Sequence, residues 1–303
     1  LREFTYTGLK KNDHVRILCT ARSAVQADLR QARELLESWG GLRVSYGKTI
    51  GAINHQFGGT TSLRVTDFQV ALNDEDIDAI WIARGGYGTV QIIDDINFSA
   101  FAKADFKKLI IGYSDVTILH GHLQNLGIAS LHNFMPLEFS DKSKDCVESF
   151  KKALLGQIQE IKITNKQGLQ IQEIKAPIVG GNLSILYSLL GSNSFPVTDG
   201  CFLFIEDVDE YLYHIERMMY GLKRAGHLDH LKGLIVGGMS DMRDHDIPFG
   251  KNAREIITDL TSSYNFPPVI FNFPAGHIKD NRSLKLGVDV HISIQKEQII
   301  FTY

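Results

Sequence analysis

Cysteine is scarce: three residues in 303, Cys19, Cys146 and Cys201, lie far apart and form no C-x-x-C pair. That odd, scattered set argues against a disulfide framework or a zinc knuckle and leads us to expect reduced thiols in a cytosolic protein. No apolar run approaches the roughly 20 residues of a membrane-spanning helix. The opening LREFTYTGLKKND holds no apolar stretch of the signal-peptide kind. Basic runs are also missing. Lys and Arg total 32 against 35 Asp and Glu, for a net charge of −3. This argues against a nucleic-acid partner, which needs a concentrated positive footprint, and against a polybasic membrane anchor. Internal repeats and low-complexity segments are absent. What is present is a chain 44% hydrophobic and 22% charged. Such a composition can bury a core, and the length fits one large domain or two ordinary ones.

Strands and helices alternate through the first half. HVRILCT (14–20) reads as a buried strand, and AVQADLRQARELLESW (24–39) as an amphipathic helix stopped by Gly40-Gly41. LRVSYG follows as a strand, then a helix over 61–73, the strand DIDAIWIAR, the strand KLIIGY (108–113), the helix VTILHGHLQNLG and the short strand ASLHNFM. This spacing predicts βαβ units and a parallel sheet. The pattern changes near residue 140, where SDKSKDCVESFKKALLGQ reads as a charged helix. EIKITNKQGLQIQEIKAPIVGG alternates with period two around Asn165-Lys166-Gln167-Gly168 and predicts an antiparallel hairpin. CFLFIED and HLKGLIVGG bracket a helix from about Tyr211 to Ala225, and VHISIQ and QIIFTY pair at the end of the chain. A boundary falls between residues 138 and 172. This gives an N-terminal α/β domain (1–140), a linker and hairpin region (141–171) and a β-rich C-terminal domain (172–303).

Four loci carry chemistry. In LIIGYSDVTILH, Ser114 sits between a strand and a helix, at the sheet edge where open α/β folds place their sites. The turn resembles a nucleophile elbow without its second glycine, and the following N–H groups suit a developing oxyanion. Ser114 or Asp115 could equally be a helix N-cap. The loop Arg84-Gly85-Gly86-Tyr87-Gly88 can bring bare backbone close to a ligand, as a phosphate cradle, as an oxyanion donor or as a plain βα turn. Its GGYGT resembles the GGDGT loop of NAD kinases, with tyrosine in place of the aspartate. Glu206 and Asp207 end an apolar strand, where a carboxylate can orient a histidine or cap the next helix. His277 follows a glycine in FNFPAGHIKDNRSLKLG. His120 and His122 lack a third ligand at suitable spacing, so no metal is expected. His227 and His230 stand beside a helix end.

Five blocks in one order make the chain resemble the LD-carboxypeptidase family, which also holds the microcin-immunity peptidases. They are FGGTTSLRVTDFQVALNDEDIDAIWIARGGYGT, IIGYSDVT, PIVGGNLSIL, FLFIEDVDEYLYHIERMM and PAGH. The resemblance implies a serine peptidase with Ser114 as nucleophile, Glu206 as acid and His277 as base. It implies an oxyanion hole from the backbone N–H groups of Asp115 and Gly86. It further implies a flavodoxin-like N-terminal domain, a smaller β-rich α+β C-terminal domain, a homodimer and no cofactor. The implied substrate is a murein tetrapeptide, cut between diaminopimelate and terminal D-alanine. Arg84 and Arg217 are candidates to hold the substrate's free carboxylate. Three places depart from the family pattern: TARS in the first strand-helix loop, Asn133-Phe134 after the third helix, and Lys285 where a proline is usual. The first two bear on substrate identity. Competing readings are a peptide-nucleotide amide hydrolase, a nucleotide-binding protein or kinase using GGYGT, and an inactive binding protein of the same fold.

Overall fold

The computed structural model describes residues 8–103, 108–262 and 268–303. In its first half the strands β1 (His14–Leu18), β2 (Arg43–Tyr46), β3 (Ala79–Ile82), β4 (Leu109–Gly112) and β5 (Ser130–His132) alternate with helices. These helices are α1 (Arg30–Ser38), α2 (Thr61–Asn73), α3 (Ser99–Lys103) and α4 (Thr117–Asn125). The five strands are parallel in the order β2-β1-β3-β4-β5, the flavodoxin-like arrangement. AIWI of β3 and LIIG of β4 are buried along their whole length, as strands covered on both faces must be.

The second half opens with α5 (Lys144–Leu154) and continues through β6 (Glu160–Thr164), β7 (Gln172–Asn182), α6 (Leu183–Ser188), β8 (Phe202–Val208), α7 (Leu212–Arg224) and β9 (Gly233–Ser240). It closes with α8 (Ala253–Thr261), β10 (Val269–Phe271), β11 (Leu284–Leu286), β12 (Asp289–Ile294) and β13 (Gln298–Thr302). One seven-stranded sheet runs β10-β9-β8-β7-β12-β13-β6, parallel from β10 to β7 and antiparallel beyond. Helix α7 buries Ile215, Met218, Met219 and Leu222, one stripe at helical spacing. The short strand β11 leaves this half and pairs antiparallel with β5 on the edge of the first sheet.

The hairpin expected across Asn165–Gly168 does not form. β6 pairs with β13 and β7 with β12, so the β12–β13 hairpin lies between them. The connection over 165–171 is longer than most hairpin loops, and alternation fixes which face a strand buries without naming its neighbour. Helix α5 packs under the first sheet, where Phe150 meets Trp81 at a ring-centroid distance of 4.9 Å.

The two sheets share one apolar core. Ile110, Val116, Leu119 and Leu123 of the first half lie in the same buried cluster as Val179, Leu183 and Leu203 of the second. A polar joint reinforces it: the Asn182 amide donates to Thr117 Oγ1 at 3.0 Å. Gly181 makes this approach possible. Its φ is +148°, and a Cβ there would lie 2.4 Å from Thr117 Oγ1. Gly181→Ala is therefore expected to destabilise the protein by about 2 kcal/mol through overpacking at this joint. Thermal denaturation checks it, and an unchanged Tm would show that the joint can yield.

Candidate active site

The serine turn is built by strain and bracing. Ser114 has φ +61°, an uncommon conformation for a residue with a side chain and one that marks functional turns. The short helical turn over 114–116 has Tyr113 at its N-cap and no side-chain cap, so neither Ser114 nor Asp115 plays the capping role. The Asp115 carboxylate instead accepts the Thr89 amide at 2.8 Å and ties the turn to the glycine loop. Burial pushes its carboxyl up, with Thr89 opposing. His120 reaches back from α4 with its ring nitrogens 2.8 Å from Ser130 Oγ and 2.9 Å from the Gly112 carbonyl. Burial lowers it to about 4, so it braces β4 as a neutral ring.

The glycine loop closes against this turn. A Cβ on Gly85 would stand 3.3 Å from Ser114 Oγ, so only bare backbone passes there without crowding the hydroxyl. Gly86 follows with φ +104°. Arg64, 1% exposed, donates from Nη1 to the Thr20 carbonyl at 2.7 Å and the Gly88 carbonyl at 2.9 Å, clamping the loop to the end of β1. Sequence reading missed Arg64, although a basic residue on the Phe68, Ala71 and Leu72 stripe of α2 was the available signal. Among the described residues, neither the Gly86 nor the Asp115 amide N–H has an intramolecular acceptor.

Opposite stand the acid and the histidine. Glu206, fully buried at the end of β8, accepts from His277 twice through Oε2: from the backbone N–H at 3.0 Å and from Nδ1 at 2.8 Å. An ionised carboxylate can only accept, so Nδ1 carries the proton and Nε2 is free to accept. Ser114 Oγ lies 3.1 Å from Nε2. Gly276, at φ +107°, lets Glu206 approach, since a Cβ there would be 2.5 Å from Oε2. Burial disfavours the imidazolium, but attraction and hydrogen bonding to Glu206 outweigh it and raise His277 above its ordinary value. Asp207 follows a register shift in β8 and shares Asn182 Nδ2 with Glu206: that group donates to Asp207 at 2.9 Å and to Glu206 Oε1 at 3.4 Å, and Asp207 also accepts the Ser184 amide at 2.8 Å. Burial raises it to about 6. Neither Asp207 nor Asp209 caps α7, whose N-cap is Tyr211 without a side-chain bond.

Ser114 and His277 open onto a cleft of about 490 Å³ whose walls include Gly85, Gly86, Glu138 and Asn182. Arg84 lines it, as does Arg22, which sequence reading noted only as part of the departing TARS string. Arg217 does not line it and stands exposed on α7 with its guanidinium over the Tyr213 ring. Asn133 and Phe134 were expected to bear on the substrate, but both are fully buried and do not line the cleft. Asn133 Oδ1 accepts from Ser283 Oγ, and Phe134 packs against Trp81 and Phe150. Lys285 lies on β11 opposite Leu131. His122 turns away from His120 to Ser194 Oγ, and His227 stacks on Phe195. All three cysteines are buried and free, and burial pushes the Cys19 thiol up to about 12.

The chain is similar to known proteins over most of its length. The family model described as the LD-carboxypeptidase N-terminal domain matches residues 15–133, and the C-terminal domain model of the same family matches 175–292. A probable murein peptide carboxypeptidase of Bacillus subtilis is 31% identical over 288 residues, covering 92% of this chain and 88% of the relative. The crystal structure of muramoyltetrapeptide carboxypeptidase from Oxalobacter formigenes superposes with a TM-score of 0.85 at 26% identity, over 95% of this chain and 98% of that one. The microcin C7 self-immunity protein MccF of Escherichia coli is 24% identical over 299 residues, covering 86% of this chain and 84% of the relative.

Two outcomes test the geometry without any substrate. By NMR, the His277 imidazole should titrate above 6.5, and in Glu206→Gln its midpoint should fall as burial is left unopposed. Gly276→Ala should lower the same midpoint while Glu206 is intact, because the added methyl pushes the carboxylate away. A midpoint unmoved by either change would mean that Glu206 does not govern the ring.

Proposed function

The chain belongs to the LD-carboxypeptidase family, and from that premise we propose that it is a serine carboxypeptidase cutting the L,D-amide bond between diaminopimelate and the terminal D-alanine of murein tetrapeptides. The observation that carries the reading is the unbroken run from Glu206 through His277 to Ser114, at 2.8 and 3.1 Å, with the serine held at φ +61°. In this reading the nucleophile comes from an N-terminal segment (1–140) and the acid and base from a C-terminal one (172–303). The enzyme works without a cofactor, as a cytosolic homodimer.

Ser114 Oγ attacks the amide carbon and its proton passes to His277 Nε2. The carbonyl oxygen becomes an oxyanion that accepts from the N–H groups of Asp115 and Gly86. Each such donor is worth about 3–4 kcal/mol of barrier. Collapse breaks the C–N bond, and Nε2 returns the proton to the departing D-alanine amine. Water then attacks the acyl-serine, its proton passes to Nε2, and a second collapse restores the Ser114 hydroxyl. Glu206 fixes the ring tautomer and stabilises the imidazolium throughout. The similarity to MccF brings in a second substrate class, a peptide-nucleotide amide, for the same chemistry.

Incubation with purified muropeptides and mass detection of the released residue tests the reading, with a peptide-nucleotide amide assayed in parallel. Ser114→Ala should abolish D-alanine release at unchanged Tm, and full activity would remove Ser114 as nucleophile. Glu206→Gln should bind substrate yet lose roughly 10⁴-fold in kcat. Asp207→Asn should lose far less, and the reverse ranking would transfer the acid's role to Asp207.

A further inference from the structure

The cleft beside Ser114 has its negative charges engaged and its positive charges open. Glu138 accepts from Tyr113 Oη at 2.8 Å and faces Lys142 Nζ at 3.6 Å. Asp207 is held by Asn182 and Ser184, Asp209 pairs with Arg243 at 2.5 Å, and Glu210 accepts from His214 Nδ1 at 2.6 Å. The two arginines of the same cleft differ. Among the described residues, neither Arg22 nor Arg84 has a carboxylate within ion-pair distance. Among the described residues, the one side-chain hydrogen bond of the pair runs from Arg84 Nη1 to the Ser23 carbonyl at 3.2 Å.

Their position relates them to the nucleophile. The Arg22 stem lies on Gly86, where a Cβ would meet its Cδ at 2.2 Å, and Gly85 in turn lies on Ser114. Arg22, Gly86, Gly85 and Ser114 therefore form one continuous wall. A guanidinium can only donate, and it matches a carboxylate in two parallel hydrogen bonds. In a peptide the terminal carboxylate is separated from the scissile nitrogen by a single Cα. The carboxylate therefore stands within about one residue length, roughly 3.5 Å, of the leaving amine, and the group that reads it lies a hydrogen bond beyond, about 3 Å further.

The geometry points to a carboxylate-binding subsite formed by Arg22 and Arg84 that reads the free C-terminal carboxylate of the residue released from the substrate. This inference rests on the carboxypeptidase reading above and names what restricts it to the chain end. Arg84, half-buried and fixed by Ser23, supplies the oriented donor. Arg22 is exposed, and its share weakens as salt rises.

The test compares a D-alanine-terminated tetrapeptide with its C-terminal amide by calorimetric binding to Ser114→Ala, which separates recognition from turnover. Amidation should weaken binding on the order of 10- to 100-fold. Adding Arg22→Gln and Arg84→Gln should weaken the acid by a similar factor, leave the amide unchanged and so erase the preference. Glutamine keeps the stem over Gly86, and an unchanged Tm confirms folding. In the active enzyme the same two substitutions should raise KM more than they lower kcat. Equal binding of acid and amide by Ser114→Ala would overturn the subsite. So would no binding of either at millimolar ligand, or equal weakening of both forms by the arginine changes. Failure of the carboxypeptidase reading is seen separately, as wild-type protein that binds the acid form and releases no D-alanine.

Discussion

The hydrogen-bonded run from Glu206 through His277 to Ser114 is the constraint on which the rest of the molecule converges. Its members sit at the end of β8, in the loop between β10 and β11, and after β4, on two different sheets. Such a run works only within about 0.5 Å of its proper geometry. Two packed layers reach that precision by sharing a core rather than by touching at a surface. Val116 and Leu119, just past Ser114, are buried with Val179 and Leu183, and Thr117 accepts from the end of β7. Register matters as much as docking. Glu206 and Asp207 are neighbours at a register shift in β8 and share Asn182 Nδ2, yet only Glu206 reaches the imidazole while Asp207 takes the Ser184 amide, so a slip of one residue in β8 would offer His277 the other carboxylate.

The second requirement is room. A serine in the left-handed region, a bare-backbone glycine loop and a buried carboxylate must share a space that ordinary side chains would fill. Gly85 clears the approach to Ser114 Oγ, and Gly276 clears the approach to Glu206. Loops so stripped of side chains have little packing of their own, and buried polar groups hold them instead. Arg64 clamps the Gly88 carbonyl, and Asp115 takes the Thr89 amide. Burying Arg64 depresses its proton affinity, a cost offset by hydrogen bonds to two carbonyls.

Much of this was legible in the sequence because the signals were local. Helix α2 runs over 61–73, where its spacing placed it, and Ser114, Glu206 and His277 each stand at a strand end or glycine-marked turn visible in the string. What could not be read depended on partners distant along the chain. Alternation identified β6 and β7 as strands but could not tell that β13 and β12 would separate them. Asn133 and Phe134 stood out because they departed from the family pattern, yet their effect is on the core under the first sheet and not on the cleft. Arg22 and Arg64 were unremarkable in composition. One gains meaning from the glycine it lies on and the other from the carbonyls it reaches.

Charge at this site sets stability against chemistry. Glu206 raises the folded-state value of His277 above 6.5, so the pair contributes stability that is fully present below 6.5 and is lost as pH rises through the raised value. Asp207 has the same sign. Its carboxyl moves from 3.8 to about 6 on burial, so its neutral form favours the fold at low pH and that contribution fades as pH rises through about 6. Turnover by the proposed mechanism requires the opposite state, an imidazole free to take the serine proton. In the pH range where Nε2 can act, neither group supplies pH-linked stability. The common apolar core and the Thr117–Asn182 joint, neither of which titrates there, must hold the two sheets together while the site works.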